Sequence, residues 1–345
     1  MNHSDISPCS LPASNRRVLL VRRPQAIPQA EDFRIEACAL PRPGDGEFLV
    51  RNIYLSVDPA QRGWAQSAVN YAEPVALGSP MRALAVGVVV ESRNAGVSEG
   101  QFLYGWFNWQ DYCIARPEHI VSRIDPGLAP LSCHAGLLGI NGVTAYLALT
   151  SLGQPKAGET VLVSTAAGAV GSFVGQIASI LGCHTIGLTG SDDKVTLARE
   201  RYRYTHAFNY RTSDLDAVLA QSAPRGIDVF FDNTGGDILD TALRRMATGG
   251  RVIQCGTAAI ANWQPPPTGL RNEREVLTRR LSWRGFVIFD HLDRWPDVSS
   301  VLAGWLRDGK IHYDEDISEG IEHAPGAIAE LYDGKNRGKR LIHVG

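Results

Sequence analysis

Residues 164–176 read STAAGAVGSFVGQ and follow directly on the apolar run Val161-Leu162-Val163. A short apolar run entering a glycine-punctuated, amphipathic segment predicts a strand that turns into a helix. Gly168, Gly171 and Gly175 have the spacing G-x-x-G-x-x-x-G. Gly168 permits the tight turn, and Gly171 lets the backbone come close to a pyrophosphate. In the helix that follows, Val170, Val174, Ile177, Ala178 and Leu181 fall on one face, and its free N–H groups and positive dipole end meet the phosphates. Tight turns and helix packing also call for glycine; the flanking strand and amphipathic helix are what favour a phosphate site.

The next strand, HTIGLT (184–189), bears on which dinucleotide is held. An NAD site places an acid at that strand's end, about 20 residues on, against the ribose 2′-hydroxyl. Here the strand runs into Leu188-Thr189-Gly190-Ser191, with no acid before Asp192 and Asp193. Lys194 follows and can neutralise a 2′-phosphate as a point charge. NADP is favoured, and Asp192 leaves NAD open.

The rest of the chain frames that unit. At 345 residues it is long enough for two domains,. Composition is that of a globular protein, 44% hydrophobic and 20% charged, with a formal net charge of −2. No basic stripe stands out, which argues against a nucleic-acid partner. Nothing approaches a membrane span, and the polar start MNHSDISPCSLPASNRR reads as a loose arm over residues 1–16 of a cytoplasmic protein,. Six cysteines, at 9, 38, 113, 133, 183 and 255, have no metal-ligand spacing and read as scattered buried thiols in a reducing compartment,.

The first third carries short strand-like pieces between Pro and Gly, among them RRVLLVRRP, EFLVRNIYLSV, MRALAVGVVVESR and DYCIA, and predicts a β-rich module,. From about Leu131 apolar strands alternate with segments of helical length, the pattern of βαβ units on a parallel sheet. Helices are predicted from Trp295, with Val298, Val301, Leu302, Trp305 and Leu306 inward and Gly309 as the stop, and from near Pro325 to Gly334,. The closing LIHV reads as a strand returning to the N-terminal sheet. The expected units are a β-rich domain over 1–130, a doubly wound nucleotide-binding domain over 131–313 and a return segment over 314–345.

At this point the residues resemble a known family. VSTAAGAVGSFVGQIASILGC (163–183), GLTGSDDKV (187–195), FNY (208–210), FDNTGGDILD (231–240) and GKNRGK (334–339) match the zinc-free branch of the medium-chain dehydrogenases/reductases. Within it they are similar to the leukotriene B4 dehydrogenase, prostaglandin reductase and alkenal double-bond reductase group, the bacterial curcumin-reductase-like members most of all. YLSVDPAQRGW (54–64), GINGVTAYLAL (139–149) and RGFVIFDH (284–291) match the same group. The resemblance implies a GroES-like catalytic domain around a Rossmann domain, an edge-to-edge homodimer and NADPH as hydride donor. It places Gly168, Ala169, Val170 and Gly171 at the pyrophosphate, and Lys194 and Tyr210 at the adenosine 2′-phosphate. Asn233, Cys255, Gly256 and Thr257 fall near the nicotinamide half, Phe286, Val287 and Ile288 in a strand covering the ring, and Asn336 near the cofactor's other face.

Neither a Gly-His-Glu run nor a cysteine cluster is present, so hydride delivery to an activated C=C bond is expected, with the substrate's own carbonyl taking the charge as an enolate. Many relatives carry tyrosine where this chain has Ala60, a second tyrosine where it has Ala261, and proline at Asn141. Tyr71, in NYAEP, matches a tyrosine that often faces the pocket and is the candidate hydrogen-bond donor. Trp64, Trp106, Trp109, Trp263 and Phe289 are candidate pocket aromatics, which favours a bulky apolar or aryl enone. Quinone reduction, or cofactor binding with little turnover, are the alternatives.

Overall fold

The structure, a computed structural model, describes residues 11–67, 71–260, 265 and 267–345. The N-terminal strands are β1 (Ser14–Leu20), β2 (Phe33–Ala39), β3 (Phe48–Ser56), β4 (Leu84–Ser92), β5 (Phe102–Trp106), β6 (Tyr112–Ala115) and β7 (Ile120–Ile124), with helix α1 (Ala60–Ala65) after β3. The middle of the chain runs α2 (Ile140–Ala148), β8 (Thr160–Ser164), α3 (Ala169–Ile180), β9 (His184–Thr189), α4 (Asp192–Glu200), β10 (His206–Asn209), α5 (Leu215–Ser222), β11 (Ile227–Asp232), α6 (Gly236–Arg245), β12 (Met246–Gln254), α7 (Glu273–Arg279), β13 (Ser282–Gly285) and α8 (Trp295–Arg307). It closes with β14 (Glu315–Glu319), α9 (Ala324–Tyr332) and β15 (Lys339–His343).

Strands β8 to β13 form one parallel sheet in the order β10-β9-β8-β11-β12-β13. This is the doubly wound order, with its switch point between β8 and β11, where a crevice opens at the carboxyl ends of the strands. Both faces are covered, so the central strands read as continuous apolar runs: Val161, Leu162, Val163, Val229, Phe230 and Phe231 are all fully buried,. The second sheet, β14-β15-β3-β4-β5-β7 with β6 on β3, takes two strands from the far end of the chain. β15 lies antiparallel to β3 and parallel to β14, as the LIHV reading expects for a returning strand.

Four local expectations are corrected. Residues 14–16 are not loose: they belong to β1, paired with β2, and Asn15 is buried with its amide on the Tyr112 backbone. Trp109 lines no pocket; it is fully buried against Phe33, and its indole donates to the Ser56 carbonyl. In α8, Val301 faces solvent, and Trp295, Val298, Leu302 and Ala303 form the buried face. β13 ends at Gly285, so Phe286 and Val287 follow the strand and Ile288 opens a short 3-10 turn.

Candidate functional site

The candidate phosphate loop begins where β8 ends. Thr165 takes the left-handed conformation, with φ 53°, and its carbonyl receives the Gly168 N–H at 2.8 Å. Gly168 then caps α3 without any side-chain hydrogen bond, so the first turn of Ala169, Val170 and Gly171 has no side-chain acceptor of its own,. The demand for glycine differs from the sequence expectation. A Cβ on Gly171 would stand 2.2 Å from the Thr165 carbonyl oxygen, and one on Gly175 would stand 2.3 Å from the Tyr204 ring. Both glycines are therefore required by packing inside the turn and against β10's approach, while the N–H groups of the first turn stay available to an anion.

At the end of β9 two cations meet. Lys194, in the first turn of α4, donates to the Gly334 carbonyl at 2.8 Å. Its pKa is lowered, by burial first and by neighbouring Arg211 second. Neither Lys194 nor Arg211 has a salt bridge among the described residues. Tyr210 and Arg211 converge on Gly190: a Cβ there would lie 3.1 Å from the Tyr210 hydroxyl and 3.4 Å from Arg211 Nε. Asp192 is drawn aside, accepting from Asn209 Nδ2 at 2.8 Å. Arg211 is a residue that sequence reading missed, although it follows Tyr210 directly.

The other end of the crevice is built on Asp232. Its buried carboxylate accepts from Ser164 Oγ, Thr234, the Gly235 N–H and Gln254 Nε2. That organises the turn carrying Asn233, whose own amide donates to the Ser164 carbonyl at 2.9 Å. Cys255 and Gly256 both donate backbone N–H groups to the Asp232 carbonyl, and a Cβ on Gly256 would press on the Asn233 carbonyl at 2.7 Å. Burial, then Asp232, pushes the Cys255 thiol up to about 12. Phe286 stacks on His291 at 5.0 Å. From the return segment, Asn336 is buried and Gly338 makes a parallel bridge to Gly168. Most of the residues expected around a dinucleotide thus follow the carboxyl ends of the parallel strands β8 to β13.

The wall facing it comes from β3, α1 and the segment after it. Tyr71 is 54% exposed, yet Asp58, Cys255, Tyr332 and Trp64 all act on its phenol, and desolvation pushes it up to about 12. A side chain so surrounded and still wetted stands in a cleft. Phe289 lies 6.3 Å from the Tyr71 ring, 5.1 Å from Trp106 and 6.5 Å from Trp64. Arg62 spans the cleft: it donates to the Thr257 and Ala258 carbonyls at 3.2 and 3.3 Å and lies over the Tyr332 ring. Trp263 and the Ala261 position lie outside the described residues.

Behind this wall is a buried ion pair that the sequence did not disclose. Lys339 Nζ donates to Asp58 Oδ1 at 2.7 Å and to the Val57 carbonyl at 2.9 Å. Ser56 Oγ donates to the other oxygen of Asp58. Asn141 Nδ2 approaches Asp58 at 3.4 Å, and its Oδ1 is buried without a partner among the described residues. Burial lowers the Lys339 pKa against the pull of Asp58. Among the described residues, no three His, Cys, Asp or Glu side chains gather as a metal site requires,.

These features fit a phosphorylated dinucleotide: an uncapped helix N-terminus at the switch point, and two cations with no salt bridge among the described residues at the end of the second strand. A model described as the N-terminal domain of oxidoreductase matches residues 16–122, and one described as zinc-binding dehydrogenase matches residues 169–304. YfmJ of Bacillus subtilis (strain 168) is 41% identical over 96% of this chain and 98% of its own. The NADPH-dependent curcumin reductase of Escherichia coli (strain K12) is 36% identical over 96% and 97%. The crystal structure of CurA in complex with NADPH from Vibrio vulnificus superposes with a TM-score of 0.90 at 35% identity, covering 96% of this chain and 99% of that one. The chain belongs to the medium-chain dehydrogenase/reductase family, in the group of alkenal, curcumin and prostaglandin reductases.

Proposed function

We infer that the protein is an NADPH-dependent reductase of the C=C bond of α,β-unsaturated ketones and aldehydes. The observation that carries the cofactor half is the Lys194–Arg211 pair, two cations with no salt bridge among the described residues where an adenosine 2′-phosphate would lie. When bound, NADPH supplies the hydride that goes to the β-carbon of the enone.

The uncapped turn of Gly168, Ala169, Val170 and Gly171 would hold the pyrophosphate, and Lys194, Tyr210 and Arg211 the 2′-phosphate. Asn233, Cys255, Gly256, Thr257, Phe286, Val287, Ile288 and Asn336 would frame the nicotinamide half. Tyr71 donates its O–H to the substrate carbonyl as enolate charge builds on that oxygen. A phenol is protonated at neutral pH, and burial raises the Tyr71 pKa further, to about 12. A proton from water reaches the α-carbon and closes the balance. Trp106, Phe289 and Tyr71 offer flat apolar faces, which supports a bulky apolar or aryl enone,.

The units proposed are a substrate-side body from 1–130 and 314–345 and a nucleotide-binding body from 131–313. The edge strand β13 is exposed over Ser282–Gly285, and Trp283 and Leu277 nearby are 44% and 76% exposed. An uncovered, apolar edge supports a homodimer joined sheet to sheet. No helix among the described residues is long and apolar enough to cross a membrane, and we place the enzyme in the cytoplasm.

The test is to offer NADPH, and separately NADH, with an aryl enone, an aliphatic 2-alkenal and a quinone, and to identify products by mass spectrometry. A saturated ketone formed with NADPH and hardly with NADH is the expected result. NADPH bound tightly with no acceptor consumed, or a quinone consumed far faster than either carbonyl compound, would overturn it.

A further inference from the structure

Trp64 is almost wholly buried, 2% exposed, and its indole N–H has no hydrogen-bond partner among the described residues. A buried indole normally finds an acceptor, so an orphaned one beside a reaction cleft calls for a reason. Its ring is held firmly: Trp106 lies edge-on at 5.6 Å, Phe289 at 6.5 Å, and the Arg82 guanidinium at 5.9 Å over its face.

The segment carrying Tyr71 is tied to the same residue. The Val75 N–H donates to the Trp64 carbonyl at 2.8 Å, and Arg82, which covers the indole, also donates to the Glu73 carbonyl at 2.7 Å. Phe289 touches both rings, 6.3 Å from Tyr71. One turn before Trp64 on α1 stands Ala60, so that helix face offers the cleft no polar side chain at that position,. The indole N–H draws the Tyr71 phenol down against the strong upward effect of burial, so the two polar groups already sense each other.

We propose that Trp64 is the positioning residue for Tyr71: once substrate is bound, its indole N–H takes the phenol oxygen as the acceptor it now lacks and leaves the Tyr71 O–H to the substrate carbonyl. This rests on the reading of Tyr71 as the enolate's donor. Trp64 gives up no proton. It fixes the direction of the Tyr71 O–H and stabilises the partial negative charge left on the phenol oxygen as that bond shortens. Its effect belongs to the transition state, where the enolate exists, and not to substrate binding.

The experiment measures kcat, KM and NADPH affinity for Trp64→Phe, Tyr71→Phe and the double variant, with an aryl enone as substrate. Trp64→Phe should lower kcat about tenfold, with KM and NADPH Kd within about twofold of the parent. In the Tyr71→Phe background the same change should cost less than about twofold, because the group it positions is gone. If Trp64→Phe does not fold, benzothienylalanine at position 64 keeps the ring shape without the N–H and should give the same tenfold loss. Normal turnover from either Trp64 variant, or losses that multiply in the double variant, would overturn the inference and leave the Tyr71 reading standing. Normal turnover from Tyr71→Phe would instead remove the Tyr71 reading itself.

Discussion

Lys194 and Lys339 are both cations with lowered pKa values at the edges of one crevice, and they do opposite work. Lys339 is buried to 1% exposure and has its counter-ion, Asp58, at 2.7 Å. Lys194 hydrogen-bonds a backbone carbonyl, has a second cation beside it and feels Asp316 only from beyond salt-bridge distance. A buried pair that satisfies itself serves the fold: it fastens β15 to the junction of β3 and α1. A cation left beside another cation is tolerable because water reaches it, and it gains most when a dianion arrives. Burial alone therefore does not mark a functional charge; the absence of an internal partner does.

The largest effect should come from breaking the closed pair. Lys339→Met leaves Asp58 buried without its partner and should cost about 3–5 kcal/mol in denaturant unfolding. The double change Asp58→Leu with Lys339→Met should recover most of that loss. If the single variant is as stable as the parent, Lys339 is not the fastening described here.

The open pair should answer to the cofactor instead. Lys194→Ala and Arg211→Ala should each weaken NADPH binding about 10- to 100-fold, about 1.4–2.8 kcal/mol, with NADH affinity and thermal midpoint nearly unchanged. Fluorescence titration of the two cofactors checks this; an equal loss for NADH would mean that neither residue reads the 2′-phosphate.

A smaller effect separates the lysines by pH. The folded pKa of Lys194 lies below the ordinary 10.5, so its charge is present at neutral pH and is lost as pH rises through that lowered value. NADPH affinity should begin to fall before pH reaches the ordinary lysine range, while NADH affinity stays level. For both lysines the unfolded chain holds more protons than the folded one in that window, so their contributions to stability rise with pH there. Titration of affinity and of unfolding midpoints over the same pH series tests both signs.

The same contrast explains what the sequence disclosed. The parallel sheet was legible because strand and helix periods alternate over more than a hundred residues and each glycine has local neighbours. Lys194 was legible because it follows a strand end at a fixed spacing. Arg211 was missed because a charge after a strand carries no periodicity, and its approach to Lys194 depends on β9 and β10 lying side by side. Asp58 and Lys339 are 281 positions apart, and only the return of β15 onto β3 joins them. Gly171 was explained incompletely: its missing Cβ is demanded by the Thr165 carbonyl, a contact that exists only once the turn has formed. Trp109 was misjudged because an indole in a strand-rich segment reads alike in core and pocket.

The bridge from Gly168 to Gly338 has a consequence for how the molecule is held together. The strand that fills the gap between β14 and β3 is also the segment that closes over the phosphate loop, and it is synthesised after both sheets' other strands. Without that segment the turn before α3 would meet the nucleotide with one side uncovered. Cofactor affinity should therefore fall if residues 334–343 are removed, and a bound cofactor should hold β15 in its place between β14 and β3.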